Sequence, residues 1–280
     1  MKSNSLLRFA LGAVAVLTMV PFTMQAKAFG KHACTNESLQ GEFGFTAHGT
    51  TLPALGLPAP LTGAFASSGS ASFDGMGHFT LTATSSFHGV IQGPTTVTGT
   101  YAVNSDCSYT SKASNGVTFR AVIVNNGREL LILQTTPGVV ITGIAKKKGA
   151  EHDEEYEEDF GEGRNTCSAV GFVGTYGFLA DGFAGAPTLP NTSFGPLAGV
   201  GVIAVRPDGT FMMMAQRSVG GVLDPAPLPL TGSYAISSNC TAALTFDVGF
   251  HFTATIINNS EAAFIETDPG TALTVVSKRL

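Results

Sequence analysis

Signatures of chemistry are what this sequence most lacks. It contains no G-x-S-x-G, no H-E-x-x-H, no Walker loop and no glycine fingerprint placed between a strand and a helix, so the common hydrolase, metalloprotease and nucleotide-binding sites are missing. Lys and Arg number 15 against 20 Asp and Glu, with no basic stripe, which argues against a nucleic-acid partner. No two cysteines stand as C-x-x-C, the clustering a structural zinc site wants. Charged residues are only 12% of the chain, yet beyond the N-terminus no apolar stretch approaches the roughly 20 residues of a spanning helix. Helical stripes are absent as well.

What is present begins with an address. Lys2 and Arg8 precede the apolar "FALGAVAVLTMVPF", and "AKA" at 26–28 offers small residues for cleavage. This pattern predicts a removed signal peptide over 1–28 and a mature chain starting at Phe29. A membrane anchor is the alternative, but the apolar run is short and ends in small residues. Removal of the segment moves the formal charge from −5 to −8. The expected location is the periplasm or the medium, without a membrane span.

The rest of the chain says the same thing twice. "GTYAVNSDC" (99–107) returns as "GSYAISSNC" (232–240), and "CTNESLQGEFGFTAHG" (34–49) as "CSAVGFVGTYGFLADG" (167–182). "FDGMGHF" (73–79) parallels "PDGTF" (207–211), and "FRAVIVNNGRELLILQTTPG" (119–138) parallels "FTATIINNSEAAFIETDPG" (252–270). Agreement that includes turns as well as apolar positions marks an internal duplication. The four cysteines share its period: Cys34 to Cys107 and Cys167 to Cys240 each span 73 residues. Of the three pairings open to four cysteines, this spacing selects one bridge inside each copy. An oxidising compartment follows. The copies are expected over 29–145 and 166–280. The segment 146–165 between them, with eight Asp or Glu in 151–162, reads as an extended acidic linker. It lacks the glycine that an EF-hand calcium loop needs for its turn.

Each copy alternates with period two. Val117, Phe119, Ala121 and Ile123 correspond to Phe250, Phe252, Ala254 and Ile256, while Thr118 and Arg120 on the other face correspond to His251 and Thr253. Half-buried strands are expected. "NNGRE", "NNSEA" and the two Asp-Gly pairs supply turns, and prolines in 51–60 and 223–230 mark loops. About eight strands per copy result, near 41–48, 62–73, 78–86, 96–103, 107–113, 117–124, 129–135 and 139–145 in the first. Sequential strands leave exposed edges unless the sheet closes. The expected fold is therefore all-β, two tandem antiparallel eight-stranded up-and-down barrels, with a two-sheet sandwich as runner-up. A single sixteen-stranded outer-membrane barrel fits poorly with a polar outer face and an acidic linker.

At these residues the chain resembles a group of exported bacterial proteins of unassigned function. Their pattern is G-x-[YF]-G-F near a cysteine, then F-D-G-x-G, then G-T-Y-x-V-N-x-D-C, then a V-I-V strand. The second copy departs from it at "GSYAISSNC" and in the shortened "PDGTF". The pattern is also broadly similar to eight-stranded barrels of the calycin or allene-oxide-cyclase type, without their G-x-W strand, since the chain has no tryptophan. The resemblance implies a fold and an address and carries no catalytic residues, cofactor or metal.

Candidate residues are correspondingly few. His48, His78 and His88 meet Asp181, a gap and Gly220 in the second copy, so a reaction common to both copies cannot use them. In "FMMMAQ" (211–216), Phe211, Met213 and Ala215 belong to the core set, which turns Met212 and Met214 outward as a contact surface for the sister barrel or a partner. The inward aromatic set is Phe43, Phe45, Phe79, Tyr101 and Phe119, then Tyr176, Phe178, Phe211, Tyr234 and Phe252. These residues either pack a core or line a site for one small apolar ligand. Three functions are in play. The first is a non-enzymatic module binding a small apolar ligand or an extracellular partner. The second is a structural or matrix protein of the cell exterior. The third is an isomerase or cyclase of the allene-oxide-cyclase kind, which needs a buried polar group inside the barrel.

Overall fold

Alternation along the strands buries one face of each, and a sheet of such strands is stable only when that face closes on itself. The computed structural model describes residues 33–53, 61–148, 169–184, 195–238, 240–268 and 271–280. The expected signal peptide, most of the acidic linker and Cys167 lie outside the described residues. In the first copy β1 (Gly41–Thr51), β2 (Gly63–Phe73), β3 (His78–Phe87), β4 (Val90–Val103), β5 (Ser108–Ala113), β6 (Thr118–Val124), β7 (Glu129–Gln134) and β8 (Val139–Lys147) follow in sequence. They close when β8 pairs antiparallel with β1.

The second copy repeats this with β9 (Gly174–Ala184), β10 (Gly195–Val205), β11 (Thr210–Val219), β13 (Leu228–Ile236), β14 (Thr241–Phe246), β15 (His251–Asn258), β16 (Glu261–Glu266) and β17 (Ala272–Arg279). β17 pairs with β9, β10 with β11, and a two-residue strand β12 (Val222–Leu223) is appended to β11. The fold is two closed eight-stranded antiparallel barrels.

Most observed bounds fall within one residue of expectation, and three depart further, the first being β1, which runs three residues past its expected end to Thr51. β4 starts at Val90, six residues early, because Gly93 and Pro94 read as loop punctuation. The proline is tolerated where the β3–β4 register shifts between Ala83 and Ser85, an irregular point that needs no donor. β8 continues through Lys146 and Lys147, residues expected in the linker.

The repeated phrase has a structural meaning in both barrels. Gly99 lies opposite Phe79 and Gly232 opposite Phe211. A Cβ on either glycine would stand 2.5 Å from the facing phenylalanine ring, so the ring packs over the glycine and replaces its missing side chain. Cys107 and Cys240 both adopt positive φ, 64° and 62°, and their carbonyls accept from Ile123 N and Ile256 N at 2.9 Å in each case. Cys34 is bonded to Cys107. Cys240 is also held in a disulfide, while its expected partner is outside the described residues.

One end of each barrel is plugged. A 3₁₀ turn (Asn36–Leu39) inserts Leu39, fully buried, beneath Phe43 and Tyr101. The turn Ala169–Phe172 brings Phe172 to 5.5 Å from Tyr234 and 5.9 Å from Tyr176.

The barrels also pack on each other. Val122, Val124, Leu131, Leu133 and Val140, from the outer face of β6 to β8, form one buried cluster with Leu179, Ala198, Val200 and Val202 from the outer face of β9 and β10. This corrects the expectation of a polar outer face, because "AVIV" and "AGVGVIAV" are apolar on both faces and buried on both. Lys278 Nζ donates to both carboxylate oxygens of Glu129 at 2.9 Å, and Ser218 Oγ donates to the Val139 carbonyl at 3.0 Å. Gly177 permits the close approach: a Cβ there would sit 2.5 Å from Val124 and 2.6 Å from Val122. The counterparts of Val200, Val202 and Ala204 in the first barrel are Ser68, Ser70 and Ser72. That serine face accepts no such neighbour, so the duplicated surface is used once.

Candidate functional site

The interiors of the two barrels differ more than their strands do. The first encloses a cavity of about 380 Å³ and the second one of about 100 Å³. Inward positions, read pair by pair, account for the difference. Ala71 of the first barrel is matched by Ile203, Ser111 by Leu244, Ala113 by Phe246, Val117 by Phe250, Ile132 by Phe264 and Gly143 by Val275. Exchanges in the opposite sense are fewer and lie mostly toward the ends: Phe73 is matched by Val205 and Tyr109 by Ala242 near the plug, Phe65 by Leu197 and Phe87 by Val219 at the other end, and Leu130 by Ala262. An apolar cavity of about 150 Å³ already admits a benzene ring, so the first chamber has room for a two-ring molecule. The second does not.

The first chamber has a closed floor and a polar rim. At the floor, Phe73 makes edge contacts with Phe43 at 5.4 Å and Tyr101 at 5.3 Å, and Tyr109 stacks on Tyr101 at 5.7 Å. Toward the other end stand Phe65 and Phe87 at 5.1 Å, with Gln92, Asn115, Gln134 and Thr136 around them. Inside, the Ser67 and Ser85 hydroxyls bond each other at 2.9 Å, and Thr51 Oγ1 donates to the Leu61 carbonyl at 2.8 Å. Ser111 Oγ is the exception. It is buried and completes no hydrogen bond of full geometry among the described residues, although the Tyr109 phenol is near enough to interact with it. Tyr109 stands two residues away on the same inward face. Burial pushes its phenol up from the ordinary value, and the nearby Ser111 hydroxyl only partly opposes that shift.

Of the ten inward aromatic residues, five border open volume and five pack in the closed part of the interior. Phe45, Phe79 and Phe119 border the first chamber; Phe178 and Phe252 border the second. Phe43 and Tyr101 lie in the plugged floor, where the Tyr101 hydroxyl donates to the Asn36 carbonyl at 3.2 Å. Tyr176 and Tyr234 are tied to the carbonyls of Phe172 and Arg206 at 3.1 and 2.6 Å, and Phe211 packs on Phe246 at 4.7 Å. Met212 and Met214 are half-buried on the outer face of β11, opposite Ala204 and Val202.

No protein-family model matches the chain, and no curated protein does either. Solved structures offer fold likeness alone. A redesigned β-barrel in complex with DFHBI is 15% identical, aligned over 39% of this chain and 99% of its own, with a TM-score of 0.27. A second redesigned barrel is 16% identical over 41% and 96%, also at 0.27. A Nostoc punctiforme protein of unknown function from the DUF3598 family is 10% identical over 88% and 99%, again at 0.27.

The remaining polar features are structural. Asp74 accepts from the backbone N–H groups of His78, Met76 and Gly77 at 2.9, 2.7 and 2.9 Å, and these bonds hold its carboxyl down at about 2. His48 meets its own counterpart, Asp181, at 3.4 Å across the two barrels. His251 pairs with Asp268 at 2.8 Å. Among the described residues no His, Cys, Asp and Glu are gathered into a metal-binding group.

At the second chamber the charged lining consists of Arg217, paired with Asp224 at 2.8 Å, and Glu266. Burial, then the neighbouring Asp268 charge, raises the Glu266 carboxyl to about 7. The folded state thus holds a proton that the unfolded chain releases near 4.5, and linkage lowers stability as pH rises between those two values. Glu266→Gln is expected to stabilise the protein at pH 8 and to have little effect at pH 5, as read by urea denaturation. A variant less stable at pH 8 would contradict the assignment.

Proposed function

We propose that this is an exported, non-enzymatic binding module whose first barrel holds one small apolar molecule. The observation that carries the proposal is the chamber of about 380 Å³ in the first barrel, set beside the nearly filled interior of the second. Two copies under the same packing demands kept the same strands and turns. Only one kept small side chains at Ala71 on β2, at Ser111 and Ala113 on β5 and at Gly143 on β8. Empty apolar volume costs stability in proportion to its size, so retaining it is consistent with a ligand that fills it.

In this reading the second barrel is a buttress. Its outer β9–β10 face covers the back of β6, β7 and β8, and Met212 and Met214 extend that apolar margin. Residues 1–28 act as the export signal and 146–165 as the connecting segment. The Cys34–Cys107 bond fits an oxidising destination, with Cys167–Cys240 as its counterpart.

The test is a titration with 2-ethylnaphthalene followed by native mass spectrometry and calorimetry. One molecule should bind per chain. Ala113→Phe with Val117→Phe, which installs the side chains of the second barrel, should abolish binding while leaving circular dichroism unchanged. Equal binding by this filled variant would refute the chamber.

A further inference from the structure

We infer that the ligand of the first barrel carries a carbonyl oxygen on an apolar body and that Ser111 holds it by a hydrogen bond. The inference rests on the chamber reading above and adds to it a chemical class and an anchoring residue.

Three observations converge on Ser111. It is 8% exposed, and its hydroxyl is the one buried side-chain polar group that completes no hydrogen bond of full geometry among the described residues, the Tyr109 phenol being its near neighbour. A buried hydroxyl left unpaired costs about 1–3 kcal/mol, a cost that the duplicate avoids by placing Leu244 at the same position. The position is also central. Ser111 lies opposite Tyr101 on β4 and Phe119 on β6, at the depth where the aromatic floor gives way to open volume. A molecule seated on Phe79 and Phe119 therefore brings its inner end to this hydroxyl.

The hydroxyl can donate, and the residue beside it favours an acceptor as its complement. Tyr109, its neighbour on the inward face of β5, is a phenol kept protonated by burial. A serine and a tyrosine hydroxyl side by side can both donate, and a carbonyl oxygen has two lone pairs to receive them. Three other hydroxyls of the interior are already engaged, Ser67 with Ser85 and Thr51 with the Leu61 carbonyl. Of the remaining polar lining residues, Gln92, Asn115, Gln134 and Thr136 stand at the opposite end. The orientation is thereby set: carbonyl toward the floor, apolar body toward the rim.

The experiment compares 2-acetylnaphthalene with 2-ethylnaphthalene, near-isosteres differing in the carbonyl, on the full-length protein and on Ser111→Ala. A neutral hydrogen bond of ordinary strength amounts to about fivefold in affinity. Ser111→Ala should weaken the ketone by about that factor and leave the hydrocarbon within twofold. The bound ketone's carbonyl stretch should move to lower frequency in the parent protein and return in the variant. Thermal stability of Ser111→Ala should equal or exceed that of the parent. Unchanged ketone affinity, or equal losses for both probes, would overturn the anchor while leaving the chamber standing. Failure of both probes to bind the parent protein would overturn both.

Discussion

Val200→Asp is expected to separate the two barrels without unfolding either. Val200 is 3% exposed, at the centre of the cluster formed by Val122, Val124, Leu131 and Leu133 from the other barrel. The substitution loses about 2 kcal/mol of apolar burial and adds the desolvation of an unpaired carboxylate, several kcal/mol more. Because Val200 points out of its own barrel, the molecule escapes this cost by parting the interface. Small-angle scattering should show a larger radius of gyration, and heating should resolve two transitions where the parent gives one. The strand signal in circular dichroism should persist. Ser68→Asp is the internal control. Ser68 occupies the equivalent position in the first barrel and is exposed, so its charge should change neither quantity. A single transition and an unaltered radius in Val200→Asp would show that the cluster does not hold the barrels together.

Replacing Cys34 and Cys107 together by serine should cost the first barrel about 4 kcal/mol, since the bond closes a loop with a separation of 73 residues. For a domain of this size that corresponds to a fall in Tm of roughly 15 °C. The loss has a location. The bond ties the segment before β1 to the β4–β5 turn, where the 3₁₀ turn places Leu39 under the aromatic floor and Asn36 Oδ1 accepts from Val103 N at 2.9 Å. Release of this plug opens the chamber from below. The serine pair should therefore also weaken binding of 2-ethylnaphthalene under conditions where the barrel remains folded. A Tm within a few degrees of the parent would mean that the plug is held by packing alone.

The residues that reveal the fold are those both copies share. Phe119, Ala121 and Ile123 repeat as Phe252, Ala254 and Ile256 because both barrels bury the same face. The cysteine period speaks for the bridge because a bond within one copy is duplicated with it. The chamber was illegible for the converse reason. On β2 the inward residues include Ser67, Gly69 and Ala71 and the outward ones Ser68, Ser70 and Ser72, so the strand has little alternation to detect. The shared aromatic residues do not mark the chamber, because Phe43, Tyr101, Tyr176, Phe211 and Tyr234 lie off the open volume while Phe45, Phe79, Phe119, Phe178 and Phe252, shared equally, border it. Ser111 could have been found by seeking pairs that disagree between copies, since all three inward positions of β5 do: Tyr109 against Ala242, Ser111 against Leu244 and Ala113 against Phe246. The inter-barrel face was hidden by the same alternation rule. A strand buried on both sides, such as β10, shows a continuous apolar run, and only the contrast with "ASSGSAS" in the first copy reveals that one partner was lost.

Crystals of the parent protein soaked with 2-bromonaphthalene and measured at the bromine absorption edge bear most directly on the proposed division of labour. One anomalous peak is expected inside the first barrel, between Phe45 and Phe119, and none inside the second. Bromine confined to the outer strands or the cleft between the barrels, or equal occupancy in both interiors, would contradict it.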